Sequence, residues 1–565
     1  MSKAISDKPI VKALVDLCHL HGVEQVVISP GSRNAPLIIS FSSSEKFECL
    51  SIVDERSAGY FALGLAREKR QPVALVCTSG TAALNYAPAV AEAYYQQIPL
   101  VVITADRPKE WINQADGQAI EQPGIYNNFI RYQCSLPLSG GHPDDEWFMN
   151  RTLNEAFQKC NGPIPGPIHI NVPMREPLYG KTVYPNTQAR KVEILTGDSA
   201  LSTDAIALLT NEIERYERVL VIVGAMHKDE NLREALSALA SKGVVVLTET
   251  LSNMEGEPFF GNMDRIVSTI TEDEELIFSP DMLITLDIPV LSKMIKKLLR
   301  NHSPHIHWHF SNQDNITDTY QAVSRIIKGN AANILNDVAG QIKKRENRFH
   351  EIWEKRSRLS TERHFQFFDR TPWSDLNLFK TLSEHTMAGY QIHLGNSTPV
   401  RYAQLFEWAP GQTWYANRGT NGIDGCVSTA AGAAYGTTQP VLLIVGDLSF
   451  IYDSNGLWHK YLPNNFRIIV INNGGGGIFR FINGPDETDE LEAYFEANHN
   501  TSCEGIAQTF QLNYLSAHNQ EEMEQLLPKF FESSEKPQLL EIFTPNVESG
   551  KILKKYFKFL RNEMI

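Results

Sequence analysis

VLLIVGDLS (Val441–Ser449) and RIIVINNGGGG (Arg467–Gly477) decide the fold. Each opens with an apolar run and stops at Gly or Asn, with an oxygen-bearing side chain at hand. A helical interval separates them. Apolar strand, helix, apolar strand is the βαβ unit, whose strands lie parallel in a covered sheet. Ligands of such sheets gather outside the carboxyl ends of the strands. Asp447 and Asn473, 26 positions apart, can therefore meet on neighbouring strand ends. A carboxylate, an amide oxygen and a backbone carbonyl from the glycine run are the hard donors Mg²⁺ takes beside phosphate oxygens and water. The N–H groups that follow suit a diphosphate. A capping Asp and an Asn-Gly turn are the plainer explanation of either piece alone. The pair, its spacing and the glycines together favour a metal-diphosphate site.

The same alternation runs outward from that stretch. Around it, GYQIHLGNS, TWYANRGTNGIDG and a closing strand at PQLLEIFT make a block over residues 365–565. EQVVIS, CLSIV, PVALVCT, PLVVITA and PGPIHINVP make a first block, 1–185, with helices over Ser57–Lys69 and SGTAALNYAPAVAEAYYQQ. RVLVIVGA, VVVLTET and DMLITLDI make a middle block, 190–335. One long, charged helical stretch, Ile334–Arg363, leads to the last block. The expected fold class is α/β: three doubly wound parallel-sheet domains.

With 52 Lys and Arg against 66 Asp and Glu, the 565-residue chain carries a formal charge of −14, which argues against a nucleic-acid partner. No signal peptide and no membrane span are read. Seven scattered cysteines with no C-x-x-C pair suggest reduced thiols and a cytoplasmic protein. No G-x-G-x-x-G opens a helix after a first strand, and no Walker loop is present. HIHWH (His305, His307, His309) is set aside as a metal face for want of a second ligand cluster, and His393 is expected to be a buried structural residue.

G-D-x-S followed by N-N resembles the cofactor motif of thiamine-diphosphate-dependent enzymes, with Leu448 where that family usually has a second Gly. The resemblance implies a pyrimidine-binding first domain, a middle domain and a diphosphate-binding last domain. It implies thiamine diphosphate with Mg²⁺ or Mn²⁺, the metal held by Asp447, Asn473 and Gly475. Asn396, Ser397, Gly446, Leu448, Ser449 and Ile478 would also touch the cofactor, and Ile423 would hold it bent. Glu55, at the end of LSIV and the start of a helix, matches the activating glutamate that bonds the pyrimidine N1′. An apolar surround there would raise its pKa; a first-turn acid favoured by the helix dipole is the plainer reading. Because the family's Glu and diphosphate site come from different subunits, a homodimer is the smallest active unit implied, with a homotetramer open.

SPGSRNAPL, DERSAGYFALGLA, TADRP, GNSTPVR and ANRGTNGIDG are together similar to one branch of the family. That branch comprises the menaquinone-pathway transferases that decarboxylate 2-oxoglutarate and add the succinyl unit to isochorismate. Both substrates are dicarboxylates, which guanidinium forks match. The resemblance assigns Ser32, Arg33, Arg107, Lys293, Ser397, Arg401 and Arg418 to substrate, Ile478, Phe479 and Ile482 to an apolar wall, and Gln118 to a catalytic orienting role. Gly117 and Met294 depart from the pattern, and Lys296 or Lys297 could stand in for Lys293. Two alternatives remain: an acetolactate-synthase-like decarboxylase or carboligase, and a non-catalytic nucleotide-binding protein.

Overall fold

The computed structural model describes residues 4–562 apart from 139–141, 184–188, 196–199, 255, 345–346, 369–370 and 483. The expected boundary at residue 185 lies outside them, as do both chain ends. Three sheets carry the chain, and every neighbouring pair of strands within them is parallel. The first runs, across the sheet, Glu48–Ser51, Gln25–Ile28, Val73–Cys77, Leu100–Asp106, Ile168–Pro173, Tyr132–Ser135. The last runs Thr413–Ala416, Gln391–Leu394, Val441–Gly446, Phe466–Asn472, Gln538–Phe543, Asn513–Ala517. In chain order both read 2-1-3-4-6-5. The middle sheet reads 2-1-3-4-5: Val245–Thr248, Val219–Val223, Met282–Leu286, Ile306–Phe310, Arg325–Ile327. A two-stranded antiparallel ribbon, Ala4–Ser6 with Lys181–Val183, is separate. The central strands VALVC, LVVITAD and FRIIVIN are buried along their whole length, because helices cover both faces.

The three doubly wound sheets match the expected fold class, with local corrections. The stretch Ile334–Arg363 is two helices, Ala331–Gln341 and Arg348–Phe367. Asn347 breaks it: its side chain caps the second helix through Phe349 N and anchors to Glu217 O and Gly243 O. SGTAALNYAPAVAEAYYQQ likewise divides into Thr81–Asn85 and Ala87–Tyr95, the second opening with a proline. PQLLEIFT is the last strand of its block in the chain, Gln538–Phe543, and lies one place in from the sheet edge, beside Asn513–Ala517.

Helix Glu55–Lys69 packs on helix Cys426–Gly436. Each follows the second strand of its own sheet, so the contact joins equivalent parts of two like domains. The approach is close enough to demand glycine. A Cβ on Gly64 would lie 2.0 Å from Thr429 O, and one on Gly432 2.0 Å from Phe61 O. Phe61, Leu65, Val427 and Ala430 share one core across this contact. Fully burying a side chain such as Phe or Leu contributes about 1.5–3 kcal/mol, so this seam fixes the first domain against the last.

Candidate active site

Strands Val441–Gly446 and Phe466–Asn472 are in register, Gly446 beside Ile471. Asp447 and the loop from Asn473 therefore emerge side by side. Asp447 Oδ2 accepts from Gly474 N at 2.8 Å and Gly475 N at 3.0 Å, and Oδ1 accepts from Leu448 N at 2.6 Å. Two successive N–H groups turn toward one carboxylate because Gly474 and Gly475 take φ of +79° and +154°, open to glycine at little cost. His499 Nε2 stands 3.4 Å from Oδ2, while its Nδ1 accepts from Thr501 N, so Nε2 carries the hydrogen. Burial pushes the Asp447 carboxyl up from its ordinary range; its N–H donors and His499 offset this only in part.

Asn473 supplies the test of whether a cation fits. Its Nδ2 donates to Asp375 Oδ2 at 3.2 Å, and its Oδ1 is buried with no hydrogen-bond partner. A buried acceptor left unmade costs about 1–3 kcal/mol, and a partner from outside the chain, such as an ion, is one reason to keep such an atom. The Gly475 carbonyl accepts from Gly477 N at 3.0 Å and has a second lone pair. Carboxylate, amide and carbonyl oxygens thus fit a hard divalent cation. Asp375, a residue no sequence motif marks, is buried; it accepts from Thr544 Oγ1 at 2.5 Å and Ser549 Oγ at 3.3 Å. It fixes which end of the Asn473 amide faces the site.

The neighbouring loops are bonded to this centre. Ser449 Oγ donates to Ile423 O at 2.7 Å. Asn396 Nδ2 donates to Asn417 O and Gly422 O, both at 2.7 Å, and Asn396 Oδ1 accepts from Arg418 at 2.8 Å. Arg401 donates to Ser397 O at 2.6 Å, with Ser397 at φ +75°. Burial, then the charge of Arg401, lower the Arg418 pKa to about 10. Lys296 donates to Val290 O at 2.5 Å, and its pKa is lowered by burial against the pull of Glu249. Lys293 is exposed, so Lys296 is the lysine that approaches the arginines. Glu249, fully buried, accepts from Leu291 N and Ser292 N, and burial raises its pKa to about 7. Gly446 has open space where a Cβ would stand. Ile478 and Phe479 lie on the one-turn helix Gly477–Arg480, half-buried like Ile482, and the Phe479 ring is 5.6 Å from that of Phe495.

The first domain presents a separate set. Arg33, 6% exposed, donates to Met174 O and Glu176 Oε1 at 3.3 Å. Arg107 donates to Gly117 O at 2.8 Å and pairs with Asp116 at 2.8 Å. Burial lowers the Arg33 pKa, and the charge of Arg107 adds to that, so the two guanidinium groups are neighbours. Ser32 is exposed; Gln118 takes φ +55° against Gly80. Glu55 opens its helix behind Asp54, which caps it through Arg56 N and Ser57 N. In the single chain Glu55 is half-buried and accepts from Asn85 at 3.3 Å. Among the described residues no hydrogen bond or ion pair joins it to Asp447 or the glycine loop. His307 and His309 both meet Thr285 Oγ1, at 2.8 and 2.9 Å, and His393 is buried against Arg67 at 3.1 Å. No cluster of three His, Cys, Asp or Glu among the described residues is arranged for a metal.

Two family models match the chain: thiamine pyrophosphate enzyme, N-terminal TPP binding domain, over residues 9–125, and its C-terminal TPP binding domain counterpart over 395–542. A 2-succinyl-5-enolpyruvyl-6-hydroxy-3-cyclohexene-1-carboxylate synthase of Porphyromonas gingivalis is 40% identical over 100% of this chain and 99% of its own. Its counterpart from Christiangramia forsetii is 40% identical over 98% and 99%, and that from Flavobacterium johnsoniae 37% over 98% and 99%. In fold, the chain is similar to benzoylformate decarboxylase from Polynucleobacter necessarius, with a TM-score of 0.71 at 15% identity, covering 95% of this chain and 99% of that one.

Proposed function

The chain belongs to the 2-succinyl-5-enolpyruvyl-6-hydroxy-3-cyclohexene-1-carboxylate synthase family of thiamine-diphosphate enzymes, and from that premise we propose how its residues divide the work. The protein is a transferase that decarboxylates 2-oxoglutarate and joins the remaining succinyl unit to isochorismate, in menaquinone biosynthesis. The observation that carries the site assignment is a continuous chain of bonds. It runs from the helix of Asp447 through Ser449 and Ile423 to the loop that Asn396 ties to half-buried Arg418. A half-buried arginine beside a metal-diphosphate loop suits dicarboxylates, not the smaller substrates of acetolactate-synthase-like enzymes.

Asp447, the free oxygen of Asn473 and the Gly475 carbonyl would hold Mg²⁺ or Mn²⁺, with Gly446, Leu448 and Ser449 against the diphosphate. Bound thiamine diphosphate supplies the nucleophilic carbon and the electron sink that decarboxylating a 2-oxo acid requires. Glu55 would hold a proton against the cofactor's pyrimidine ring, and Ile423 would pack against the cofactor. Arg401, Arg418 and Lys296 hold one set of carboxylates; Arg33 and Arg107, with Ser32 and Gln118, hold another. Charge that develops on a carboxylate or enolate then meets fixed guanidinium donors in a partly dry site. Lys293 stays a rim contact, and Ile478, Phe479 and Ile482 exclude water.

Among the described residues no hydrogen bond or ion pair joins Glu55 to Asp447 within one chain, and Val53 and Leu84, near Glu55 and Asn85 in sequence, are 46% and 45% exposed. Both facts support a homodimer that brings the partner's diphosphate domain to Glu55. Its seven free thiols support a cytoplasmic location; no helix among the described residues is long and apolar enough to cross a membrane. Feeding 2-oxoglutarate with isochorismate, and pyruvate separately, tests the substrate assignment. CO₂ release that needs the first pair is expected; turnover of pyruvate without use of 2-oxoglutarate would overturn it.

A further inference from the structure

Glu92 is a carboxylate with no solvent exposure, on helix Ala87–Tyr95 of the first domain. No step above uses it. Its acceptors face the last domain: Oε1 takes Gly419 N at 2.8 Å, and Oε2 takes Thr420 N at 2.6 Å and Thr420 Oγ1 at 2.5 Å. Gln96 closes the fourth side from the same helix. The loop is seated hard on that helix, since a Cβ on Gly419 would lie 2.7 Å from Glu92 O. Taking a carboxylate wholly out of water costs several kcal/mol unless charge-assisted bonds replace the hydration. Glu92 makes such bonds to two consecutive backbone N–H groups 327 and 328 positions along the chain.

Those two N–H groups belong to the residues immediately after Arg418. On its other side the same loop is gripped by Asn396, through Asn417 O and Gly422 O, and the Arg418 guanidinium rests on the Asn396 amide oxygen. The loop is therefore pinned from both domains, with Arg418 between the pins. We propose that Glu92 is a positioning residue for substrate: a strap from the first domain that fixes the Asn417–Gly422 loop so that Arg418 meets a substrate carboxylate in one geometry. This rests on the assignment of Arg418 to a substrate carboxylate. A guanidinium fork is sensitive to placement, because its paired bonds need both N–H groups in the carboxylate plane.

The test is a double-mutant cycle on the full-length holoenzyme with Glu92→Gln and Arg418→Lys. Gln keeps the volume but sets an NH₂ against one backbone N–H. Glu92→Gln should raise the KM of one dicarboxylate substrate about tenfold and kcat less than about threefold, as loss of uniform binding does. In the Arg418→Lys background the same change should add less than about twofold to that KM. Thr420→Val, which removes only the hydroxyl bond, should move the same KM in the same direction by less, and guards against a folding defect in the first variant. An unchanged KM in Glu92→Gln, or an equal effect with and without Arg418, would overturn the strap. Wild-type turnover of the substrate pair, measured alongside, separates that failure from a failure of the reaction assignment. If wild type does not use the pair, calorimetry of glutarate binding to the same four proteins decides the strap. Weaker, non-additive binding upholds it and unchanged binding overturns it.

Discussion

The first and last domains share one strand order, 2-1-3-4-6-5, and carry different chemistry at the same places. After the first strand stand Ser32 and Arg33 in one and Asn396, Ser397 and Arg401 in the other. After the second come Glu55 in one and Arg418 and Ile423 in the other. After the third the first domain turns through Ser79-Gly80-Thr81, the last through Gly446-Asp447-Leu448. After the fourth come Arg107 against Asn473 and its glycines. Topology fixes where loops converge, while the residues set there decide what is bound. In the proposed assignment one domain offers a proton-sharing carboxyl and guanidinium groups, and the other hard oxygens, N–H groups and further guanidinium groups. On that assignment neither half completes a site by itself.

Substitutions at matched positions sharpen that contrast. The largest effect is expected from Glu55→Gln. Removing a general acid–base typically costs about 10²–10⁴ in rate, and calorimetry should find thiamine diphosphate and Mg²⁺ still bound. Near-normal turnover would take the proton role away from the first domain. Asp447→Ala should do the converse and lose metal and cofactor binding together. Asp375→Asn should weaken Mn²⁺ binding about 10–100-fold, as loss of a residue orienting a ligand does, with the melting temperature of the metal-free protein nearly unchanged. Unaltered Mn²⁺ affinity would mean the Asn473 amide needs no such hold.

The seam between the two domains comes next. Gly64→Ala puts a Cβ against Thr429 O, and overpacking of this kind costs about 1–3 kcal/mol. Denaturant unfolding should show that loss, and full stability would mean the like helices are not closely coupled. The smallest effect concerns pH. The folded pKa of Glu249 is raised to about 7, so the folded state holds this proton more tightly than the unfolded chain. Its contribution is largest below the ordinary glutamate pKa and is lost as pH rises toward 7. Glu249→Gln should therefore flatten the stability curve between about pH 5 and pH 7, by on the order of 1 kcal/mol. An unchanged curve would place the titration elsewhere.

The central strands were legible because burial on both faces leaves long apolar runs. The missed strands, YQCS, RII and NYLSA, are short and lie at sheet edges, where only part of each is buried. The candidate site was legible where chemistry sits next to a strand end in sequence, as at Asp447, Asn473 and Glu55. It was not legible where a partner is remote. Asp375 reaches Asn473 across 98 positions and Glu92 reaches Gly419 across 327, and neither carries a local pattern. Lys293 and Lys296 are three positions apart, so composition could not separate them; the helix Lys293–Asn301 does, by turning the second inward.

That the two like domains divide one active site between subunits is tested most directly by complementation. Glu55→Gln and Asp447→Ala chains should each be nearly inactive alone. Co-expressed and left to pair at random, they should together regain about a quarter of wild-type turnover of 2-oxoglutarate with isochorismate. In a two-fold dimer, half the molecules formed at random are mixed, and each of those rebuilds one intact site of two. No recovery from mixed dimers that are shown to form would contradict the division.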